Sequence, residues 1–326
     1  MKATTILFVA RRLAQLVPVV LAIAALNFLL VKLAPGDAAD ILAGQMGHAT
    51  LEFTEQLRRE FGLDLPLVEQ FAVYMWKLFT LDLGVSLIQQ QSVLDLILER
   101  LPATLLLMLA AIAIAVASGV VLGVVAARRQ GGWVDNVVSV AGLLVYATPS
   151  FWLGLMLIVL FSIRLDLLPS GGMMSIGSGK TSIALALDVA RHLVLPALTL
   201  GLFYAAVYAR LMRAAMLEVY GQDYIVTARA KGLSERSIAW THALRNALLP
   251  VVTLAGMQIG HLLGGSVLIE TVFAWPGLGR LVFDALVQRD LNLLLGILFI
   301  SSVVVVLANL VVDVAYGLLD PRITHK

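Results

Sequence analysis

The sequence has no cysteine, and only 13% of its 326 residues are charged. The first absence excludes disulfide staples and thiolate metal sites. The second excludes an ordinary soluble domain, in which about a quarter of residues are charged. With 60% hydrophobic residues and a mean hydropathy of +0.94, the chain is read as an integral membrane protein. No long serine, glutamine or charge tract marks a disordered tail. The ten-residue alternating segments of a membrane β-barrel are also missing.

Enzyme constellations are missing too. The five histidines, His48, His192, His242, His261 and His325, form no H-E-x-x-H or other close ligand pair. There is no G-x-S-x-G elbow. Gly177-Ser-Gly-Lys-Thr-Ser182 resembles the end of a phosphate-binding loop, but Met174 stands where that pattern needs its first glycine and no apolar strand precedes it. The chain is therefore expected to be no enzyme, with no catalytic residue and no metal or cofactor of its own.

What is present is apolar length. A hydrocarbon core of about 30 Å takes about 20 apolar residues to cross, and six runs qualify, near 13–31, 103–127, 137–163, 193–212, 247–269 and 293–318. Lipid offers backbone groups no partner, so each is expected to be a helix. The predicted fold is all-α integral membrane, a single transmembrane domain over 1–326 with six transmembrane helices. Arg11 and Arg12 before the first run imitate a signal peptide, but that run is longer than a cleaved one and is read as a retained helix.

Orientation follows from lysine and arginine. With the N-terminus inside, the inside segments hold 13 of the 23 basic residues and 6 of the 21 acidic ones, 13 − 6 = +7, against 10 − 15 = −5 outside. Both termini are therefore expected in the cytoplasm. Segment 32–102 becomes an extracytoplasmic helical insertion, with Val68 to Phe79 as an amphipathic helix on the membrane surface, either a cap or a docking surface. Segment 164–192 reads as a flexible Gly/Ser-rich loop. The third outside segment opens with Glu270-Thr-Val-Phe-Ala-Trp-Pro-Gly-Leu-Gly279, where proline and glycines turn the chain.

The inside loop 213–250 is long and patterned. Helix formers flank Gly232, which supplies a bend, and Ser234 is placed to cap a second short helix from Glu235 onward. Arg229, Lys231, Arg236 and Arg245 present positive charge, either to a protein partner or to lipid headgroups. Within the spans, Gln258 and His261 form one polar pair that either lines a pathway or bonds a neighbouring helix. Asn309 and Asp313 lie one turn apart in the sixth run and suit bundle packing. Few ionisable residues besides Asp313 lie in the spans, which speaks against a self-contained secondary transporter or channel.

The loop resembles the ATPase-docking segment of the inner-membrane permeases of binding-protein-dependent ABC importers, whose signature is roughly E-A-A-x(3)-G-x(9)-I-x-L-P. Gly232, Ala228 and Leu244 match its glycine, second alanine and leucine, while Val226, Thr227, His242 and Arg245 replace its E, first A, I and P. The dipeptide, oligopeptide and nickel class looks closer, with A-R-A-K-G at Ala228 to Gly232, then His242 to Asn246 and Pro250. Further similarities to that class are Ala34 to Asp37, Phe61 to Asp64, Leu83 to Ser86, Leu101 to Thr104, Glu270 to Gly279, Arg289-Asp290 and Asp320 to Arg322.

The resemblance implies a type I ABC importer permease in a bacterial inner membrane. Its partners would be a second homologous permease, two ATPase subunits that bind ATP and Mg, an extracytoplasmic substrate-binding protein and membrane lipid, with no nucleic acid. It implies short peptides as cargo, with nickel or glutathione as the alternative. Coupling would fall to Ala228, Arg229, Ala230, Lys231, Gly232, Leu233, His242, Arg245 and Asn246.

Overall fold

A computed structural model describes residues 3–33, 39–40, 50–60, 62–86, 88–177 and 181–319. The motifs Ala34 to Asp37 and Asp320 to Arg322, together with Phe61, Ser178, Gly179 and Lys180, lie outside the described residues. Among those described there is no strand, only one isolated bridge between Val85 and Ser92. The helices are α1 (Ala3–Leu33), α2 (Leu51–Glu60), α3 (Leu67–Phe79), α4 (Val93–Arg128), α5 (Trp133–Ala147) and α6 (Ser150–Leu157), the last continued by a π-helical turn Ile158–Arg164. Then come α7 (Ser182–Tyr220), α8 (Asp223–Ala230), α9 (Glu235–Ser237) with a π-helical turn Ile238–Ala243, α10 (Leu244–Met257), α11 (Ile259–Val272), α12 (Leu278–Gln288) and α13 (Leu291–Leu319).

Each expected apolar run is helical, but the bounds differ in informative ways. Helix α4 begins at Val93, ten residues before the second run, and passes through Pro102 unbroken; membrane helices tolerate such prolines. The third run is broken. Pro149 drives Thr148 out of the helical region to ψ 130°, as the residue before proline usually is, and the two halves bend by 105° there. The fifth run divides at Gln258 into α10 and α11. By length and composition, three described helices suffice to cross a membrane, and the bent pair could make a fourth; Val17–Leu30 is a shorter apolar helix.

The chain divides into two compact units, Met1–Leu101 with Leu281–Lys326, and Pro102–Arg280. In the first, α1 packs on α13 and α3. Phe28 meets Phe71 at 5.3 Å and Tyr74 at 5.7 Å between ring centroids, while Ala24, Leu78 and Phe299 share a small core. As numbers rise along α3 they fall along α1, so α3 lies antiparallel beside α1. Leu83 to Ser86 and Arg289-Asp290 meet here: Ser86 Oγ donates to Asp290 Oδ2 at 2.5 Å, and Asn292 Nδ2 donates to Val85 O at 3.3 Å.

In the second unit α7 is the central helix, packed by α5, α6, α10 and α11. Its contact with α4 is close because of Gly119 and Gly123, four residues apart. A Cβ on Gly119 would lie 2.5 Å from Tyr208 Cβ, and one on Gly123 2.6 Å from Met212 Cβ. Small residues at this spacing let membrane helices approach by backbone. The 164–192 segment is more ordered than its composition suggests. Leu167 N–H donates to Phe161 O at 2.9 Å and Gly172 N–H to Phe273 O at 2.8 Å. Asp188 accepts from Ser175 N at 2.7 Å and Ser175 Oγ at 2.9 Å, and α7 starts at Ser182. Backbone hydrogen bonds, the Ser175–Asp188 link and the packing of Leu168 and Met173 against the core fix this stretch.

Candidate functional site

Segment 223–246 forms a helix–turn–helix. Helix α8 ends where Gly232 adopts φ +75°, a conformation glycine enters without steric cost. Ser234 then caps α9, its Oγ accepting from Ser237 N at 3.3 Å. Two side-chain links hold the halves. Arg229 Nε donates to Glu235 Oε1 at 2.8 Å across the turn, and Asn246 Nδ2 donates to Tyr224 Oη at 2.7 Å, joining α10 to α8.

The inner face of this hairpin is continuous with the core of its unit. Ile225, Ala228, Ile238, Ala239 and Ala243 are buried in one cluster with Val124 and Ala127 of α4 and Met212 and Met216 of α7. Ten residues before the hairpin, α7 is tied to α5 by an ion pair on buried Asp135: partly exposed Arg213 reaches its two oxygens through Nε and Nη2 at 2.6 and 2.7 Å, and Gly131 N–H adds a third bond at 2.9 Å. The hydrogen bond from Arg213 and then that from Gly131 hold the Asp135 carboxyl down to about 2.

The outer face is exposed and mixes apolar with basic side chains. Val226 is 58% exposed and Trp240 36%, with Tyr224 and Leu233 also exposed, among Lys231, Arg236 and Arg245. A cavity of ≈ 440 Å³ is lined by Ser234, Arg236, Ser237, Trp240 and Thr241. The expected residues therefore take different places. Ala230, Lys231, Gly232, Leu233 and Arg245 are exposed, His242 is half-buried and Ala228 is buried. Arg229, expected to present free charge to a partner, instead spends its guanidinium on Glu235, whose carboxyl it holds low, and lies over the Tyr220 ring at 5.8 Å. Glu235, Tyr224, Trp240, Asp135 and Arg213 were not singled out by sequence. The six-residue separation of Arg229 and Glu235 around a glycine is the one local signal that could have found a pair.

A second constellation closes the turn after α11. Glu270 is fully buried and its carboxylate accepts from Thr104 Oγ1 at 2.8 Å and Arg280 N at 3.0 Å, with Gly279 N–H and Ser266 also bonded to it. Thr104 Oγ1 in turn accepts from Leu278 N at 2.7 Å, and Trp275 Nε1 donates to Ala103 O at 2.9 Å. The motifs Leu101 to Thr104 and Glu270 to Gly279, some 170 residues apart, are thus one structure. The carboxylate sits at the N-terminus of α12, where unpaired N–H groups favour an anion. Burial with no cation at hand pushes the Glu270 carboxyl up against those donors. Gln258 lies half-buried at the break between α10 and α11; His261 is on α11, its side chain outside the described residues. Among the described residues no group of three His, Asp or Glu is placed to hold a metal.

A helical membrane unit that carries a rigid, solvent-facing helix–turn–helix on its own core has the build of a transporter's membrane subunit. Comparison with known proteins agrees. The binding-protein-dependent transport system inner membrane component matches residues 119–325, and the N-terminal part of such membrane components matches residues 5–108. The chain belongs to this family of transport-system membrane components. A protein of Brucella abortus is 44% identical over 97% of this chain and 98% of its own length. The di/tripeptide transport system permease protein DppB of Pseudomonas aeruginosa is 42% identical and the dipeptide transport system permease protein DppB of Escherichia coli 40%, each over 98% of this chain and 99% of its own length. The fold is similar to a chain of the inward-facing MetNI methionine ABC transporter, with a TM-score of 0.53 and 19% identity over 67% of this chain and 93% of that one.

Proposed function

We propose that this chain is the membrane permease subunit of a bacterial ABC importer for short peptides, placed in the inner membrane with both termini in the cytoplasm. It works beside a second homologous permease, on two ATPase subunits that bind ATP and Mg, and receives cargo from an extracytoplasmic binding protein. The peptide reading is supported by relatives named for peptides at 40–42% identity over almost their whole length.

One observation carries the coupling: the 223–246 hairpin has its inner face in the core of α4 and α7 and its outer face exposed. A force on Val226, Leu233, Lys231 or Trp240 then reaches the bundle through packed side chains and not through a slack loop. Interiors packed to crystal density move as units, which is what a lever between ATPase closure and helix rearrangement needs. Ala228 seats the lever, Gly232 shapes it, Arg229 and Asn246 hold it square, and Leu233, Lys231 and Arg245 with half-buried His242 meet the ATPase. Gln258 and His261, at and just past the break in the fifth run, line the pathway; broken membrane helices are where transporters expose polar groups to cargo.

The test is uptake into proteoliposomes holding this chain, the second permease, both ATPases and the binding protein, offered labelled dipeptide and nickel in parallel. Dipeptide uptake that vanishes without ATP is expected. Nickel uptake alone would overturn the cargo, and uptake independent of ATP would overturn the coupling role.

A further inference from the structure

The third apolar run breaks in the middle of the membrane. Tyr146, near the end of α5, stacks on Phe203 of α7 with 5.3 Å between ring centroids, and a Cβ on Gly154 of α6 would lie 3.4 Å from Thr199 Cγ2. The break therefore stands level with Thr199 and Phe203. Arg191 and Arg210 are the nearest charged residues of α7 on either side of them. At the rise of an α-helix the two arginines are about 28 Å apart, close to the hydrocarbon thickness of about 30 Å, and the break falls midway.

At that depth backbone is left bare. Thr148 N–H is the last to donate into α5, to Leu144 O at 3.1 Å, and the ladder resumes only where Leu153 N–H donates to Pro149 O at 3.1 Å. Thr148 Oγ1 turns back to Leu144 O at 2.7 Å, and Pro149 has no N–H to give. Among the described residues no backbone N–H reaches the carbonyls of Tyr146 and Ala147. Both residues are exposed, as are Phe151 and Trp152 just past the break. Unpaired carbonyls do not face lipid, because hydrocarbon has no donor; they are covered by protein or line a water-filled space. A neighbouring membrane helix is a poor cover, since its own N–H groups are taken by its internal ladder. A short peptide has no such ladder, and its main-chain N–H groups are free whatever its side chains.

We propose, resting on the peptide-importer reading above, that this break lines the passage the cargo takes. The carbonyls of Tyr146 and Ala147 accept from the main-chain N–H groups of a peptide in transit, and the exposed rings of Tyr146, Phe151 and Trp152 stand beside its side chains. Contact with the main chain lets peptides of different sequence pass by one route.

The chain has no cysteine of its own, so single cysteines report on it directly. Ala147→Cys and, separately, Tyr146→Cys are placed in the assembled importer in lipid nanodiscs, with Gln130→Cys in the exposed turn after α4 and Ala126→Cys in the core as references. A water-soluble maleimide is expected to label positions 146 and 147 at a rate approaching that at 130. Excess dipeptide, with binding protein and ATP present, should slow the label several-fold at 146 and 147 and leave it unchanged at 130. Labelling as slow as at Ala126→Cys would overturn the site, in favour of lipid, or of the second permease if a bifunctional reagent joins the two chains there. Fast labelling that dipeptide does not slow would overturn the contact with cargo. Uptake by the wild-type importer separates the two levels: if dipeptide enters under ATP and the labelling fails, only the break loses its role, whereas absence of dipeptide uptake strikes the peptide reading itself.

Discussion

At Gly232 the backbone has φ +75° and a Cβ would meet no atom within 4 Å; at Gly277 φ lies outside the left-handed region, and a Cβ would overlap the Glu270 carboxylate and the Thr104 hydroxyl. The same residue type serves a shape in the first case and a space in the second. The difference runs through both regions. The 223–246 hairpin has one face open and its charges only partly paired, which is why the docking role is proposed for it. The Glu270–Gly279 turn is closed on itself, and its donors and acceptors are matched inside the protein. Damage to the hairpin should therefore appear in coupling, and damage to the turn in stability.

The largest effect is expected at Gly277. Gly277→Ala forces apart two buried groups that are each tied to backbone, so overpacking is joined by lost hydrogen bonds, a cost of about 3 kcal/mol or more. Thermal unfolding of the detergent-solubilised complex checks it; a melting temperature like the wild type's would show that the turn yields easily and break the contrast with Gly232.

Next comes Glu270→Gln, at about 2 kcal/mol, because the amide NH2 turns two hydrogens toward donors where the neutral carboxyl group has only one. Here the two regions also differ in sign with pH. Asp135, whose partner lies ten residues before the hairpin, has its carboxyl lowered by Arg213, so its contribution is full above the ordinary carboxylate range and is lost as pH falls toward about 2. Glu270 is raised by burial, so the stability of its neutral form is full below its ordinary value and is lost as pH rises through the folded value. Melting curves between pH 4.5 and 8 should show the wild type's advantage over Glu270→Gln narrowing as pH rises. A widening gap would mean that the converging donors outweigh burial.

Gly232 should separate stability from coupling. Gly232→Ala places a side chain in the left-handed region with open space around it, at about 1 kcal/mol. Gly232→Pro cannot adopt a positive φ at all, so transport should be abolished while membrane insertion persists. Uptake at the wild-type rate in the proline variant would remove the hairpin from the coupling path.

How much of this was legible depended on whether the cause was local. The apolar runs, the Gly232 bend and the Ser234 cap follow from composition and neighbouring residues, and the structure has helix, bend and cap at those places. Pro149 is the local cause of the bend in the third run, and an apolar-length criterion does not register it. What could not be read was pairing over distance. Thr104 and Glu270, or Asp135 and Arg213, carry no mark in sequence that each awaits the other, and the resemblance to a family supplied the motifs without saying that they touch. Part of the order in the 164–192 segment was hidden for a related reason: the bonds to Phe273 and Phe161 run from backbone to backbone, where side-chain identity says nothing.

The smallest effect on stability is expected at the Arg229–Glu235 pair, and it is the most informative about the hairpin. Both side chains are exposed, so solvent screening leaves about 0.5 kcal/mol for the pair, and single substitutions by alanine should barely move the melting curve. Their transport effect depends on what the pair is for. If it squares the two arms around Gly232, then Arg229→Glu and Glu235→Arg should each lower ATP-dependent uptake, and the two together should restore it by re-forming the link with reversed polarity. If Arg229 meets the ATPase directly, the double variant stays as poor as Arg229→Glu alone. The first outcome is expected, because the guanidinium is already bound at 2.8 Å to Glu235 and rests over Tyr220, while Lys231, Arg236 and Arg245 remain exposed.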